Sequence, residues 1–461
     1  MIHIRSLSLA LLLATGIPAA QADDLMDIYK EARAADPTLA AAQSTKLATD
    51  ENVSQARAVL LPQLSGGMSY TRTYNGLNDT TLVNDPTDPG NRMEVDGYSQ
   101  TLYTRNVGVQ LDQSLLDISK WTALKASRYA ADAGAANWDA AQQDLLIRVA
   151  TTYFGVLSAL DALKFADANE KALARQLEQA RQRFEVGLAA ITDVNDAKAQ
   201  HDQAVASVIS NQNAVDQARE AVRQLTNQEP GEFKRLREDL PLDHPTPDDP
   251  QAWVEVALKQ NPILSAAAYQ VDAADANIGT ARAGHLPTLS AQVGYSRAPT
   301  WGTQRFGGVG EFPQYSGDPK WGSSIGVTLR VPIFSGGFTQ SRVRQAIYNR
   351  DFAQDQYEYN RRLVEATTRN NYRSVIAGAS EVEANRAAVV SAQSSVEATQ
   401  AGYEVGTRTI VDVLISQQTL LAAQSGYSAA RHGFVLDSLL LKQAAGVIEV
   451  KDLEAINALL E

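Results

Sequence analysis

The sequence predicts a mostly α-helical protein that also supplies strands to a membrane β-barrel, arranged as an internal two-fold repeat. Three observations support this fold class. Two segments recur at nearly constant offsets, two pairs of stretches alternate large and small residues, and two helical stretches of about 65 residues contain no proline. A helix of that length is roughly 100 Å long, which is typical of coiled-coil or tubular assemblies.

The first 22 residues are interpreted as a secretory signal. Arg5 is the positive residue, residues 7–14 are apolar, and Ala20 and Ala22 form a small-x-small cleavage site. No later stretch approaches 18 consecutive apolar residues, so we expect no transmembrane helix. The chain has no cysteine, which excludes disulfides and a lipid on an N-terminal cysteine. Its net charge of −12 argues against nucleic acid and anionic lipid surfaces as partners.

The repeat is clearest at two places. Segments that begin at Asp36 and Asn261 are 225 residues apart, and both end in Leu-Pro-x-Leu-Ser. The stretches FEVGLAAITDV and YEVGTRTIVDV are 219 residues apart, and they share Glu-Val-Gly and Asp-Val. The chain is therefore interpreted as two copies of one plan, residues 23–225 and 251–445, with a segment at 226–250 and a tail at 446–461.

Each copy is predicted to begin with a helix and to continue into a strand hairpin. Asp36-Pro37 and Asn261-Pro262 are typical helix starts, because Asp or Asn caps a helix and proline fits its first turn. After each Leu-Pro the period changes to two residues. This change predicts hairpins at about 63–113 and 288–334, with long loops at 75–97 and 302–320.

Each strand hairpin is predicted to be followed by a long helical hairpin. We expect helices over residues 117–185, 192–225, 339–404 and 411–445. Gly187 and Gly406 stand where the long helices end, so they should mark the tips of the two hairpins. Residues 226–250 and the tail are expected to pack against the middle of the helices.

The four predicted strands cannot close a barrel alone, because about eight strands is the smallest stable number. Open edges are not tolerated in lipid, so several chains are expected to share one barrel. Each strand of about 10 to 13 residues is long enough to cross an outer membrane. Six aromatic residues near the strand ends would suit the interfacial girdles: Tyr74, Tyr98, Tyr295, Trp301, Trp321 and Phe334.

Along nearly the whole mature chain, the sequence resembles the TolC family of outer-membrane exit ducts. The stretches that carry the resemblance include GHLPTLS, LDQSLLDISKWTAL, RFEVGLAAITDV and the highly specific VGTRTIVDVL. The resemblance implies a homotrimer in which four strands per chain give a 12-stranded β-barrel, continued by a long α-helical periplasmic barrel of 12 helices. It also implies an equatorial domain made of residues 226–250 and the tail.

The function implied by the resemblance is export without catalysis. Proteins and small toxic compounds would pass from an inner-membrane ABC, RND or MFS pump, through a periplasmic adaptor protein, into a gated channel-tunnel. Such a channel serves efflux and type I secretion. The implied location is the outer membrane, extending into the periplasm. No enzymatic activity, cofactor, metal or nucleic acid is expected.

Two interpretations of the repeated acid remain open. Asp193 and Asp412 follow the tips closely, where an acid can cap a helix and meet its positive dipole end. The resemblance instead implies a periplasmic gate formed by Gln176, Thr192, Asp193, Tyr403, Arg408 and Asp412. It assigns the adaptor-contact tips to Val186, Gly187, Leu188, Val405, Gly406 and Thr407. The family pattern has a second acid where this chain has Ile415, which predicts weaker cation block of the entrance.

Two other functions were weighed against export. A periplasmic coiled-coil adaptor or interaction protein should lack the strand hairpins that this sequence contains. A secreted hydrolase could use Ser324 in Gly-Ser-Ser-Ile-Gly, but the motif lies in an alternating stretch without a following helix. The glycine run at 307–310 lacks the Lys-Ser/Thr of a phosphate loop, and the histidines show no metal-ligand spacing.

Overall fold

The structure of the protein, a computed structural model, describes residues 24–461 apart from 86, 307–309, 316 and 318. The predicted signal at 1–22 and most of the glycine run at 307–310 lie outside the described residues. The chain divides into two compact units. The helical unit comprises the residues up to Lys46, Ala135–Ala266 and Tyr357–Glu461, and the sheet unit comprises Leu47–Gly134 and Ala267–Gln356.

The described residues form nine helices, and the two long ones agree with the sequence prediction. Their bounds are α1 (Leu25–Ala35), α2 (Pro37–Ala58), α3 (Ile118–Glu185), α4 (Ile191–Thr226), α5 (Pro250–Gln260), α6 (Pro262–Ala283), α7 (Phe338–Glu404), α8 (Ile410–Ala444) and α9 (Val450–Asn457). α3 has 68 residues and α7 has 67. The Asp36 carboxylate accepts from the Leu39 amide at 3.0 Å and caps α2, as its sequence indicated. α1 and α5 were not predicted.

The main core of the helical unit joins the long helices to the segments outside the repeat. Tyr153 and Phe154 of α3 are fully buried in it, together with residues of α1, α4, α8 and α9. Leu236, from the segment between α4 and α5, is buried in the same core and forms a β-bridge with Leu460 of the tail. The Tyr153 hydroxyl donates to the Lys234 carbonyl at 2.9 Å. The segment and the tail therefore lie against the helices.

Within the described residues, α3 alone contains a stretch long and apolar enough to cross a membrane by composition. The mean hydropathy of that stretch is 1.4, and 44% of it is buried. Leu145 and Val149 of α3 belong to the main core. Packing in the helical unit thus explains why this helix carries many apolar residues.

The sheet unit contains one six-stranded antiparallel sheet. Its strands are β1 (Gln63–Asn84), β2 (Arg92–Leu116), β3 (Thr288–Arg297), β4 (Thr300–Phe306), β5 (Gly310–Tyr315) and β6 (Gly322–Arg330). β1 pairs with one side of β2, while β3 and β4 pair with successive parts of its other side. β6 then pairs with β3, and β5 pairs with β4. The six strands therefore occupy four positions across the sheet.

The predicted loops were wrong over most of their length. β1 and β2 continue through residues 75–97 and leave only 85–91 between them, with one irregularity between Asn75 and Asn78. The predicted loop at 302–320 contains most of β4 and all of β5, which pair with each other. β6 ends at Arg330 rather than at 334. Hydrogen bonding to a neighbouring strand outweighs the weak strand preference of Asn, Asp and Gly in these stretches.

The two faces of the sheet differ in polarity. Residues opposite each other in antiparallel pairs share a face, and one such row is Leu64, Leu111, Val293 and Ile325. Ile325 is 80% exposed and Leu64 is 75% exposed within the chain. On the opposite face, Gln100 and Gln304 both donate to Gln314. One side of the sheet is therefore an exposed apolar surface, here called the apolar face.

Aromatic rings cluster on the apolar face. Of the predicted girdle residues, Tyr295 and Trp321 stack with their ring centres 5.1 Å apart. Trp301 lies with its ring centre 5.9 Å from that of Tyr70. The side chain of Tyr98 lies outside the described residues. Such clusters are typical of surfaces at the boundary between lipid and water.

Candidate gate at the helical tips

The helical hairpins α3–α4 and α7–α8 end in tips with the same backbone conformation. Gly187 and Gly406 have φ angles of 78° and 82°, which other residues rarely adopt. Their amides donate to the carbonyls of Phe184 at 2.9 Å and Tyr403 at 3.1 Å, which ends the long helices. Nothing lies within 4 Å of a Cβ added to either glycine. Within one chain, backbone conformation rather than crowding explains the glycines.

The start of α8 carries a complete capping box. The Thr409 hydroxyl accepts from the Asp412 amide at 3.2 Å, and the Asp412 carboxylate accepts from the Thr409 amide at 2.9 Å. These hydrogen bonds, and the nearby charge of Arg408, lower the pKa of Asp412 from its ordinary value. The capping interpretation is confirmed for Asp412.

The start of α4 has the same acid without the same cap. Ala190 occupies the position of Thr409, so no side chain caps this helix. The Asp193 amide donates to the Ala190 carbonyl at 3.1 Å. In the part of the chain that the structure describes, no hydrogen bond or ion pair involves the Asp193 carboxylate. Asp193 therefore acts within its own chain only as a negative charge near a helix N-terminus.

Arg408 is exposed in the second tip, and so is Thr192 at the start of α4. The Arg408 amide donates to the Gly402 carbonyl at 3.2 Å, which fixes its backbone. No ion pair forms between Arg408 and Asp193, or between Arg408 and any other described acid. The two opposite charges thus remain available to groups outside the chain.

Tyr403 joins the two helical hairpins of one chain. It is buried in a small cluster with Leu173 of α3 and Leu414 of α8. The Arg183 guanidinium carbon lies 4.7 Å from the centre of the Tyr403 ring, and Arg183 Nη1 donates to the Tyr403 carbonyl at 3.4 Å. Burial raises the pKa of Tyr403, although the charge of Arg183 opposes that change. Among the described residues, the buried Tyr403 hydroxyl has no hydrogen-bond partner.

Gln176 forms a second link between the hairpins. Its Nε2 donates to Gln400 Oε1 at 2.7 Å, and Gln400 in turn donates to Glu404 at 3.1 Å. Gln176 Oε1 is buried and accepts no hydrogen bond from the described residues. Buried polar atoms are rarely left without a partner. The Tyr403 hydroxyl and Gln176 Oε1 are therefore positioned to accept partners from another molecule.

Sequence analysis missed two residues of this arrangement, Arg183 and Gln400. The repeat counterparts of these residues are Gly402 and Arg181, so no repeated pattern marks either position. Their contacts depend on how α3 packs beside α7. That packing is visible only in the folded chain.

The outermost residues of both tips are apolar and exposed. Val405 is 76% exposed, Leu188 is 71% exposed and Val186 is 69% exposed. Thr407 is also exposed, and its hydroxyl donates to the Gly402 carbonyl at 3.1 Å. Ile415, one turn into α8 beyond Asp412, is 57% exposed. Exposed apolar groups with a polar rim are typical of surfaces that bind another protein.

The other motifs of the sequence find no chemical site. Ser324 lies in β6 opposite Gly294, and not on the strand-to-helix turn that a nucleophile in this motif requires. Among the described residues, no group of three or more His, Asp or Glu side chains could hold a metal ion.

Relatives of known kind match almost the whole chain. The family model described as outer membrane efflux protein matches residues 28–228 and 253–447. Outer membrane protein TolC of Escherichia coli K12 is 37% identical over 440 residues, covering 95% of this chain and 85% of the relative. The alkaline protease secretion protein AprF of Pseudomonas aeruginosa is 27% identical over 440 residues, covering 94% of this chain and 86% of the relative.

Solved structures show the same fold. The outer membrane protein VceC of Vibrio cholerae gives a TM-score of 0.70 at 19% identity, covering 92% of this chain and 96% of that one. A structure of CusC, described in terms of folding and transmembrane channel formation, gives 0.73 at 18% identity, covering 92% of each chain.

Proposed function

The chain belongs to the outer membrane efflux protein family, and we propose that it forms a trimeric duct with a gated periplasmic entrance. It is an outer-membrane channel of efflux or secretion. Its relatives are outer-membrane channels rather than enzymes. The trimer, the gate and the partners are the parts that we add.

The open edges of the sheet carry the proposal of a trimer. Among the described residues, β1 pairs only with β2, and β6 pairs only with β3. Lipid does not tolerate unpaired strand edges. Three copies of the four strand positions would give a closed barrel of 12 strands, in which β1 of one chain pairs with β6 of the next.

The two faces of the sheet fit such a barrel. The apolar face would contact lipid, and the glutamines of the opposite face would line a water-filled lumen. In the family, long helices continue the barrel into the periplasm. The hairpins α3–α4 and α7–α8 of three chains would then supply the 12 helices of that tunnel and six tips at its entrance.

The gate is proposed to close through contacts between neighbouring chains. Asp193 and Arg408 have opposite charges and no ion-pair partner in the described chain, so each can pair with its counterpart on a neighbour. An exposed pair of this kind is worth little by itself. The same pair repeated three times by symmetry could hold a two-state entrance shut until an adaptor binds. Thr192, Tyr403 and Gln176 would support this link.

The tips are proposed to dock a periplasmic adaptor protein that connects the duct to an inner-membrane ABC, RND or MFS pump. Val186, Leu188 and Val405 would supply exposed apolar contacts. Gly187, Gly406 and Thr407 would let a partner helix approach closely.

Cysteine cross-linking tests the trimer cleanly, because the chain has no native cysteine. Cysteines placed at Ser65, Ser69 or Thr71 of β1 are combined with cysteines at Ser324 or Thr328 of β6. At least one combination should give covalent trimers on oxidation. The pair Ser290→Cys and Thr328→Cys, which faces itself within one chain, should give only a monomer. A monodisperse monomer that cross-links in no combination would refute the trimer.

A further inference from the structure

We propose that three arginines on the apolar face bind phosphate groups of the glycolipid in the outer leaflet of the outer membrane. These residues, here called the arginine line, are Arg72 of β1, Arg105 of β2 and Arg297 of β3. The inference rests on the proposed function, because it requires the apolar face to contact lipid. It adds a lipid site that neither the gate nor the duct needs.

The arginine line crosses three neighbouring strands. Arg72 lies opposite Tyr103, and Arg105 lies opposite Tyr70, so the two arginines are diagonal neighbours on one face. Arg297 lies opposite the residue two positions beyond Arg105 and is its diagonal neighbour on the other side. Side chains at diagonal positions are about 7 Å apart, within reach of long residues. Adjacent members of the line can therefore hold one phosphate or two phosphates of one headgroup.

Aromatic rings surround the arginine line. The ring centre of Tyr103 lies 6.0 Å from that of Tyr70 and 6.2 Å from that of Trp301. The Arg72 guanidinium carbon lies 5.8 Å from the centre of the Tyr103 ring. Tyr, Trp and Arg all combine an apolar body with a polar end, which suits the boundary between acyl chains and headgroups.

The arginine line lies at the correct height for the outer leaflet. Gln63 begins β1 beside α2, and nine residues separate it from Arg72. Nine residues span about 30 Å along a strand, or about 23 Å across a membrane at a tilt of roughly 40°. The apolar band of an outer-membrane barrel is about 25 Å tall. With the helices in the periplasm, the line stands at the far boundary of that band.

The charge on the apolar face is asymmetric. Between the helix-proximal strand ends and the arginine line, the residues that pair on this face are uncharged, from Leu64 and Met68 of β1 to Val327 and Leu329 of β6. Basic residues thus occur at only one boundary of the band. This polarity favours the phosphorylated glycolipid of the outer leaflet over phospholipid of the inner leaflet.

The guanidinium groups need an anion from outside the chain. Arg72 and Arg105 are exposed, and neither forms an ion pair with any described acid. Arg297 Nε donates to the Pro319 carbonyl at 2.9 Å, which orients that side chain along the sheet. Phosphate suits arginine because it accepts two parallel hydrogen bonds. The net charge of −12 does not oppose this contact, since charges beyond about 10 Å are screened.

Native mass spectrometry of the purified full-length protein in detergent tests the site. The probes are diphosphorylated lipid A and zwitterionic phosphatidylcholine in mixed micelles. The wild-type protein should retain the phosphorylated lipid selectively, and Arg72→Gln/Arg105→Gln should retain it about tenfold less. Arg330→Gln, on the opposite face of the same sheet, is the matched control and should behave as the wild-type protein does.

Equal retention by the double variant and the wild-type protein would overturn the lipid site. Displacement of the lipid by an equimolar amount of inorganic phosphate would also overturn it, since the site would then bind any soluble anion. Conductance of the same samples in planar bilayers separates the two proposals. A double variant that conducts normally but loses lipid supports both, whereas a wild-type protein that binds lipid but never conducts contradicts only the duct.

Discussion

The two helical tips of the chain share a glycine and an acid but differ in the residue before the second helix of each hairpin. The first tip, residues 184–194, has Ala190 at that position, and the second tip, residues 403–413, has Thr409. Thr409 engages the carboxylate of Asp412 in a capping box. Ala190 has no group that could engage Asp193. One methyl-to-hydroxyethyl difference thus separates an acid that stabilises its own helix from an acid that stays available.

The tips are also complementary in charge. The repeat counterpart of Arg408 is Ala189, so the available acid lies on the first tip and the available arginine lies on the second. If first and second tips alternate around a trimer, each Asp193 can face an Arg408 of a neighbouring chain. Capping and gating are therefore not competing explanations of one repeated acid, because the two copies have divided the roles.

Removal of the arginine should have the largest effect on channel behaviour. Arg408→Ser would leave Asp193 without its proposed partner, and the entrance should open. We expect a several-fold higher single-channel conductance in planar bilayers, and a similar increase for Asp193→Asn. Arg373→Ser, at another exposed arginine on α7, is the control and should conduct as the wild-type protein does. Equal conductance in Arg408→Ser and wild-type protein would remove the gate assignment.

A smaller increase should follow when the first tip is given the cap of the second. Ala190→Thr introduces a hydroxyl three residues before Asp193, which allows a capping box. The carboxylate would then be divided between its own helix and Arg408 of the neighbour. Conductance should rise above wild type but remain below that of Arg408→Ser. Ala190→Val has the same shape without the hydroxyl, and an equal rise in that variant would contradict the capping explanation.

Periodicity predicted much of the fold. The absence of proline and the regular spacing of apolar residues predicted α3 and α7 almost to the residue. The strands were harder, because Asn, Asp and Gly between residues 75 and 97 indicated a loop, whereas pairing keeps them in β1 and β2. Local preference is weak in strands, and a partner far away in sequence decides the outcome.

The candidate site could be predicted only in part. Resemblance pointed to Asp193 and Arg408, and the sequence itself shows Ala190 against Thr409. The consequence of that difference requires the positions of backbone amides, which only the folded tip provides. Arg183 was not recognised, since its contact with Tyr403 depends on the packing of two helices that are distant in sequence.

Cation block of the entrance tests how many acids the second tip contributes. Asp412 is held in its cap and Ile415 replaces the second acid of the family pattern, so wild-type protein should show weak block by divalent cations. Ile415→Asp would add one exposed carboxylate per chain and should tighten the block a few-fold at low salt. Ile415→Asn is the uncharged control. Tight block in wild-type protein that Asp412→Ala leaves unchanged would defeat this interpretation.

The smallest expected effect is local to the second tip. Thr409→Ala removes the capping hydroxyl, which should speed amide exchange in the first turn of α8 about fivefold at neutral pH. Thr419→Ala changes an exposed threonine inside α8 that only donates to the Ile415 carbonyl, and it should leave that exchange unchanged.

The difference between wild type and Thr409→Ala should also depend on pH. The hydrogen bonds from Thr409 hold the pKa of Asp412 below its ordinary value, so the carboxylate stabilises the cap above that value and this contribution is lost as the pH falls through the lowered pKa. Hydrogen-exchange mass spectrometry should therefore show the variant and the wild-type protein converging from about pH 5 towards about pH 2. The first turn of α4, with Ala190 in place of threonine, should lack this pH dependence. If that turn shows the same dependence, or if the α8 difference persists unchanged in acid, the two tips do not divide their roles as their caps indicate.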